Sequence, residues 1–475
     1  MKMSNYKKRV AIVGGGITGL AAAFYLQKEM LEKNLPIEIT LIESSNRLGG
    51  KIQTFSKDGF TIERGPDSFL ERKQSASKLI REVGLGDKLI NNATGTAYIL
   101  LKGKLHPIPE GAVMGIPTKL SPFITTGLFS PLGKARAAAD LVLPSGKVEG
   151  DQSLGSFFRR RLGDEVVDNL IEPLLSGIYA GDIDRLSLRA TFPQFQQVEK
   201  KYRSLILGLG KTMPKPKTNR VGDSPKKGMF QTVSTGLESL VDAIEAKLNT
   251  VTVLKAVKVM SITGVGPYTL RLSNGEISEF DSLIVTTPHY SIEKLFIGFD
   301  WTPSISEMTS TSVATVAMAF DEEVMKENIN GTGFVVSRKS DYTITACTWT
   351  HKKWPHSTPA GKVLLRAYVG RVGDEAIVDQ SDDEIKRVVL DDLNKIMRIN
   401  VEPDFTLVSR WKNAMPQYNV GHKERIGEWK KIVANHLPGV FLAGSSFDGL
   451  GLPDCINQGV SAVGDVVEFL GKIDR

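Results

Sequence analysis

The chain has 475 residues, 41% hydrophobic and 24% charged, a length that implies two or three domains and a composition that excludes disorder and fibrous repeats. Its two cysteines, Cys347 and Cys455, exclude a disulfide framework or thiolate metal cluster and fit a reducing compartment. The formal charge of +7 is concentrated between Glu199 and Lys227, where nine Lys/Arg meet two Asp/Glu; without a base-stacking or groove-reading motif this reads as an exposed Pro/Gly loop, and no nucleic-acid partner is expected.

At the N-terminus Lys7, Lys8 and Arg9 precede an apolar stretch and imitate a signal peptide. Gly14, Gly15, Gly16 and Gly19 interrupt it, and Gln27-Lys28-Glu29 closes it before a membrane-spanning length is reached. A cytoplasmic protein without a spanning helix is expected. Arg9–Val13 has a buried-strand pattern, Thr18–Glu32 a helical one, and Ile37–Ile42 reads as a second strand, so the first 45 residues form a βαβ unit and require a parallel sheet.

The turn of that unit is Gly14-Gly15-Gly16-Ile17-Thr18-Gly19, a GxGxxG. Its first glycine permits the tight turn, its second lets backbone approach a pyrophosphate, and Gly19 lets helix pack on strand. The helix N-terminus offers free N–H groups to phosphate oxygens. Glu43, followed by Ser44, ends the next strand, where a carboxylate accepts hydrogen bonds from ribose hydroxyls. In this setting the motif implies dinucleotide binding.

Further along, Gly111–Leu143 carries helical apolar segments broken by Pro117, Pro122 and Pro131, and Gln152–Leu175 has helical spacing. Beyond the basic loop, Gly236–Leu248 reads as an amphipathic helix. Val251–Ile262, Tyr268–Leu272 and Ser282–Thr286 read as strands returning to the core sheet. Strand patterns dominate from Ser312 to Val369. Asp382–Met397 reads as a helix, and Val440–Gly444 as a last strand before a helix over Cys455–Leu470. His351 and His356 lie in a Trp- and Pro-containing stretch with too few partners for a metal site. No metal is expected.

Three further segments carry a family resemblance. Arg47-Leu48-Gly49-Gly50-Lys51 resembles the RxGG segment of the flavin amine-oxidase superfamily, although the family often has Arg where Lys51 stands. Glu63-Arg64-Gly65-Pro66-Asp67-Ser68 resembles its GPxS loop. Phe441–Phe447, continuing through Gly449 and Gly451 to Leu452-Pro453-Asp454-Cys455-Ile456, resembles its C-terminal flavin segment. With Glu172-Pro173-Leu174-Leu175-Ser176-Gly177-Ile178-Tyr179-Ala180-Gly181 and Met415-Pro416-Gln417-Tyr418, the chain resembles, over nearly its whole length, the Gram-positive-type protoporphyrinogen/coproporphyrinogen III oxidases.

That resemblance implies bound FAD and a six-electron oxidation of coproporphyrinogen III, or of protoporphyrinogen IX, in haem biosynthesis. O2 reoxidises the flavin and yields H2O2. FAD contacts are then expected from Gly14, Gly15, Gly16, Ile17, Thr18, Gly19, Glu43, Ser44, Arg47, Gly50, Lys51, Gly65, Pro66, Asp67, Ser68, Val259 (or Val257 in an alternative register), Trp411, Gly451, Leu452 and Pro453. Arg47 would supply charge toward the pyrophosphate. Lys73 is the candidate cation for a substrate carboxylate, Tyr368 would face the macrocycle, and Ile178 would shape the pocket wall.

The fold class expected is α/β: a discontinuous Rossmann-like FAD domain (1–90, 228–300, 410–475), an α+β substrate domain (91–110, 301–409), a helical insertion (111–210) and a basic loop (211–227). The insertion reads either as a membrane-facing surface or as an ordinary helical subdomain. Partners implied are the porphyrinogen, O2 and the next haem-pathway enzyme, with peripheral contact at the inner membrane face on the first of those readings. The rival functions are another FAD-dependent desaturase or amine oxidase, or a flavin-containing porphyrin carrier. Amine oxidases usually carry paired aromatics near the flavin, and the C-terminal loop here supplies none.

Overall fold

The computed structural model describes residues 7–146, 150–212, 228–301, 304–325 and 329–473. A five-stranded parallel sheet forms its base, in the order Val251–Leu254, Ile37–Ile42, Lys8–Val13, Ser282–Val285, Val440–Leu442. Strands buried on both faces read as continuous apolar runs, and Val10, Ala11 and Ile12 have no exposed surface. Helix Ile17–Lys33 follows the first strand and packs against the C-terminal helix Leu452–Ile473. The approach is close: a Cβ on Gly459 would lie 2.5 Å from the Thr18 carbonyl oxygen. The βαβ expectation is met, and the structure is α/β as the sequence implied.

A second, seven-stranded sheet carries Phe405–Pro416, Ser310–Asp321, Lys362–Val369, Ile344–Trp349, Gly333–Val336, Tyr98–Leu101 and Lys104–Pro107, in that order. All its pairings are antiparallel except Gly333–Val336 with Tyr98–Leu101. Helix Asp382–Met397 covers one face through Ile385, Val389 and Leu393. On the other face Ala317, Ala319 and Leu364 pack against Phe60 and Ile62 of the hairpin Thr54–Lys57/Phe60–Glu63. That hairpin leads straight into the 63–68 loop, which therefore lies between the two sheets.

The third layer is helical, with Phe157, Phe158 and Phe195 in edge-to-face contacts at its centre. Arg161, fully buried, is tied to Asp140 and lies 3.4 Å from Glu199, so its charge is matched where unpaired burial would be costly.

Several expectations change. Val251–Ile262 is not one strand: Val251–Leu254 ends the parallel sheet, and Val259–Thr263 begins a separate antiparallel sheet with Tyr268–Leu272 and Ile277–Phe280. Phe405–Pro416 is a twelve-residue strand that crosses the boundary expected at 409/410. Its edge position leaves Lys412 and Asn413 exposed and hides the alternation. His422–His436 is an additional helix. The basic segment is not a loop from its start. Pro193–Tyr202 is a helix with Pro at its first turn, ended by Arg203 in the left-handed region, and Leu205–Thr212 is another. Residues 213–227 lie outside the described residues.

Candidate flavin and substrate site

The glycine turn opens helix Ile17–Lys33 without a side-chain cap and with no acidic residue in the first turn, so its N–H groups and positive dipole end are left for an anion. The three positions of the motif differ in room. A Cβ on Gly19 would sit 1.9 Å from the Gly14 carbonyl oxygen, whereas one on Gly16 meets nothing within 4 Å. Gly14 takes φ +109°, which only glycine adopts readily. The Glu43 carboxylate accepts the Gly15 N–H at 2.7 Å and the Ser45 N–H at 2.8 Å, with the Ser44 hydroxyl beside it. Glycines that keep one side open, an uncapped helix start and a carboxylate across from it fit the adenosine pyrophosphate of FAD.

The 47–51 loop closes on this turn: Gly49 N–H donates to Gly15 O at 2.8 Å. Arg47, expected to supply charge toward the pyrophosphate, is also bonded within its own loop. Its guanidinium turns back onto the carbonyls of Leu48, Gly50 and Ile52, with Glu238 at 4.0 Å, and so shapes the loop itself. The Lys51 ammonium reaches the Ala414 carbonyl, tying the glycine loop to the edge strand of the seven-stranded sheet. Gly65 is needed where it stands, because a Cβ there would lie 1.8 Å from Lys51 O.

The 63–68 loop is held from the sheet side. One carbonyl, Arg64 O, accepts from the Trp411 indole N–H at 2.9 Å and the Thr315 hydroxyl at 3.0 Å, with an Arg366 nitrogen at 3.4 Å. Trp411 thus acts on the loop backbone through its N–H. Asp67 is taken up by Lys353 at 2.7 Å and by Ser68 at 2.7 Å. Burial alone would raise its pKa, but Lys353 and Arg366 hold it well below the usual carboxylate range. Glu63 behaves oppositely: burial pushes it up to about 7, only partly offset by the Leu237 N–H, the Thr54 hydroxyl and the Arg366 charge.

Leu452 and Pro453 open the C-terminal helix, and Gly451 O accepts the Cys455 N–H at 2.9 Å. Lys73, the residue before helix Gln74–Glu82, is not a free cation. Its ammonium bonds both Asp454 oxygens, at 2.7 and 2.6 Å. Tyr368 is half-buried, its hydroxyl accepting from Arg366 at 3.1 Å with Thr348 at 3.4 Å. Ile178, on helix Glu172–Tyr179, is 48% exposed although apolar. Val259 is buried and paired with Leu272; Val257 is the residue whose N–H donates to Glu43 O, at 3.0 Å.

The sequence assigns no role to Arg366 or Thr315 and no bond to Asp454, since nothing local marks a side chain that bonds a partner hundreds of positions away. The two thiols offer no nucleophile: burial pushes Cys347 up to about 12 and Cys455 to about 11. Among the described residues no helix is long and apolar enough to cross a membrane.

Comparison with known proteins agrees with this geometry. The family model for flavin containing amine oxidoreductase matches residues 17–467. The chain is 58% identical over 469 residues to the Bacillus subtilis (strain 168) protein named coproporphyrinogen III oxidase, covering 98% of this chain and 100% of that one. It is 45% identical to the Staphylococcus aureus protein of the same name, over 98% and 100% of the two chains. The crystal structure of a homologue from Exiguobacterium sp. 255-15 superposes with a TM-score of 0.88 at 42% identity, covering 98% of this chain and 99% of that one.

Proposed function

The chain belongs to the flavin containing amine oxidoreductase family, and from that premise we propose that it is an FAD-dependent oxidase taking six electrons from coproporphyrinogen III to give coproporphyrin III in haem biosynthesis. The observation that carries this reading is end-to-end identity of 58% with a coproporphyrinogen III oxidase. FAD, when bound, supplies the hydride acceptor, and three two-electron steps with O2 as final acceptor release three H2O2 per porphyrin.

The protein's own residues position and enclose. Gly16 and the start of helix Ile17–Lys33 hold the pyrophosphate, Glu43 the ribose, and Val257 rather than Val259 borders the adenosine, since its backbone meets Glu43. The 63–68 loop, fixed through Arg64 O, gives the ring a rigid neighbour. Tyr368 and Ile178 contribute the substrate side. Lys73 meets a propionate by exchanging its partner Asp454 for the substrate carboxylate, an exchange made cheap by partial exposure of the pair, 40% and 23%.

Leu132, 83% exposed, and Ile124, 62% exposed, support peripheral membrane contact by the helical layer. Such contact would suit hand-over of a poorly soluble product to the next enzyme of the pathway.

Turnover of coproporphyrinogen III and protoporphyrinogen IX, followed side by side by porphyrin fluorescence and oxygen uptake, tests the reading. Faster turnover of the four-carboxylate substrate, with three O2 consumed per porphyrin, is expected. Binding without oxygen uptake would make the protein a carrier instead.

A further inference from the structure

Arg366 lies midway along strand Lys362–Val369 with 4% of its surface exposed. Residues two apart on a strand share a face, so Arg366 and Tyr368 point the same way, and the guanidinium carbon lies 5.1 Å from the Tyr368 ring centroid. One terminal nitrogen bonds Gly65 O and lies 3.4 Å from Arg64 O; the other donates to the Tyr368 hydroxyl at 3.1 Å. The charge is spent on two loop carbonyls and a phenol. Two carboxyls feel it: Asp67, itself paired with Lys353 at 2.7 Å, and Glu63, whose pKa burial pushes up to about 7.

A buried guanidinium whose direct hydrogen-bond acceptors are all neutral is costly, and an apolar residue of similar volume would pack there at lower cost. A lysine has one point of donation where this site uses a planar fork reaching two elements. We propose that Arg366 is a positioning residue whose single buried guanidinium fixes both the 64–65 loop on the cofactor side and the Tyr368 hydroxyl on the substrate side. This rests on the flavin reading above, since the loop is taken to run beside the FAD ring. Two consequences follow. The buried positive charge behind the loop favours the reduced, more negative flavin. The Tyr368 phenol depends on Arg366 for its orientation, so the two residues act as one unit.

The experiment uses apoprotein reconstituted with FAD in wild type, Arg366→Met, Arg366→Lys, Tyr368→Phe and the Arg366→Lys/Tyr368→Phe double variant. FAD affinity, the midpoint potential of the bound flavin, and kcat and KM for coproporphyrinogen III are measured on each. Arg366→Met should lower the potential and reduce kcat by at least about tenfold, the loss expected for a charge-assisted bond. Arg366→Lys should keep the potential near wild type but lower kcat, because its ammonium no longer reaches both partners. Adding Tyr368→Phe to the lysine variant should cost little more, since a shared interaction is lost only once.

A wild-type potential and kcat in both Arg366 variants would overturn the proposal, as would losses that multiply in the double variant. If Arg366→Met fails to fold, the lysine series alone decides through its non-additivity. Wild-type apoprotein that takes up no FAD would overturn the flavin reading and this proposal together; uptake with indifferent variants would overturn this proposal only.

Discussion

The Tyr418 hydroxyl accepts the Gly449 N–H at 2.8 Å while donating to the Ser445 carbonyl at 2.8 Å. One phenol therefore spans the glycine loop that leads into the C-terminal helix. Its ring stacks on His422 with centroids 3.9 Å apart, and His422 in turn bonds Phe447 O at 2.7 Å. Next to it, Gln417 donates to the Tyr179 carbonyl at 2.8 Å, so the Gln417-Tyr418 pair joins that loop to the helix bearing Ile178.

Tyr418→Phe keeps the stack and removes both loop bonds. A stability loss of about 1–3 kcal/mol is expected, because the Gly449 N–H loses its acceptor. FAD affinity should weaken several-fold. Thermal unfolding and FAD titration of the apoprotein measure the two effects. A variant with wild-type values in both would show that the loop is held elsewhere.

Gly16 and Gly19 separate cofactor binding from folding. A Cβ at Gly16 meets nothing within 4 Å and φ is an ordinary −70°, so Gly16→Val should fold and lose FAD. Gly19→Ala drives a methyl against the Gly14 carbonyl oxygen at 1.9 Å and should destabilise the fold itself, by about 1–3 kcal/mol or more as overpacking does. Circular dichroism melts with flavin content on the same samples distinguish them. A Gly16→Val protein with full flavin would move the phosphate site.

Lys73→Ala should raise KM for coproporphyrinogen III about tenfold to a hundredfold, the range of one charge-assisted bond, and less for protoporphyrinogen IX. Asp454→Asn releases the Lys73 ammonium from its partner and should lower KM for the four-carboxylate substrate. Steady-state kinetics on both substrates check this. Equal effects of Lys73→Ala on the two would mean that Lys73 does not count carboxylates.

Glu63 adds a pH dependence of stability. Its pKa of about 7 in the folded protein stands above the ordinary 4.5 because burial disfavours the charge. The folded state therefore holds the proton more tightly, and this contribution is fully present below pH 4.5 and lost as pH rises through 7. Glu63→Gln should remove that slope, so the stability difference from wild type changes between those two values and is flat above them. Urea melts across the range measure it. An unchanged slope would place the titration on another group.

Much of the nucleotide half was legible because its signals are local. The run Arg9–Val13, the GxGxxG and the carboxylate at 43 follow one another within a single βαβ unit, and that unit is built as expected. The region around the seven-stranded sheet was less legible. Strand Phe405–Pro416 lies at a sheet edge, where Arg410 and Lys412 break the apolar alternation. Helix His422–His436 has polar residues over most of its surface. The bonds of Lys73 to Asp454 and of Arg366 to Gly65 span 381 and 301 positions. No spacing rule reaches that far. Residue type at Lys73 and Tyr368 was readable; what each one bonds was not.

FAD held by this chain is expected to take its electrons directly from a porphyrinogen. The most direct test is anaerobic mixing of the FAD-loaded protein with coproporphyrinogen III while the visible spectrum is recorded. Bleaching of the flavin band without oxygen is expected, then recovery of the band and full conversion to coproporphyrin III when air is admitted. A flavin spectrum that stays oxidised throughout, with substrate bound, would contradict it.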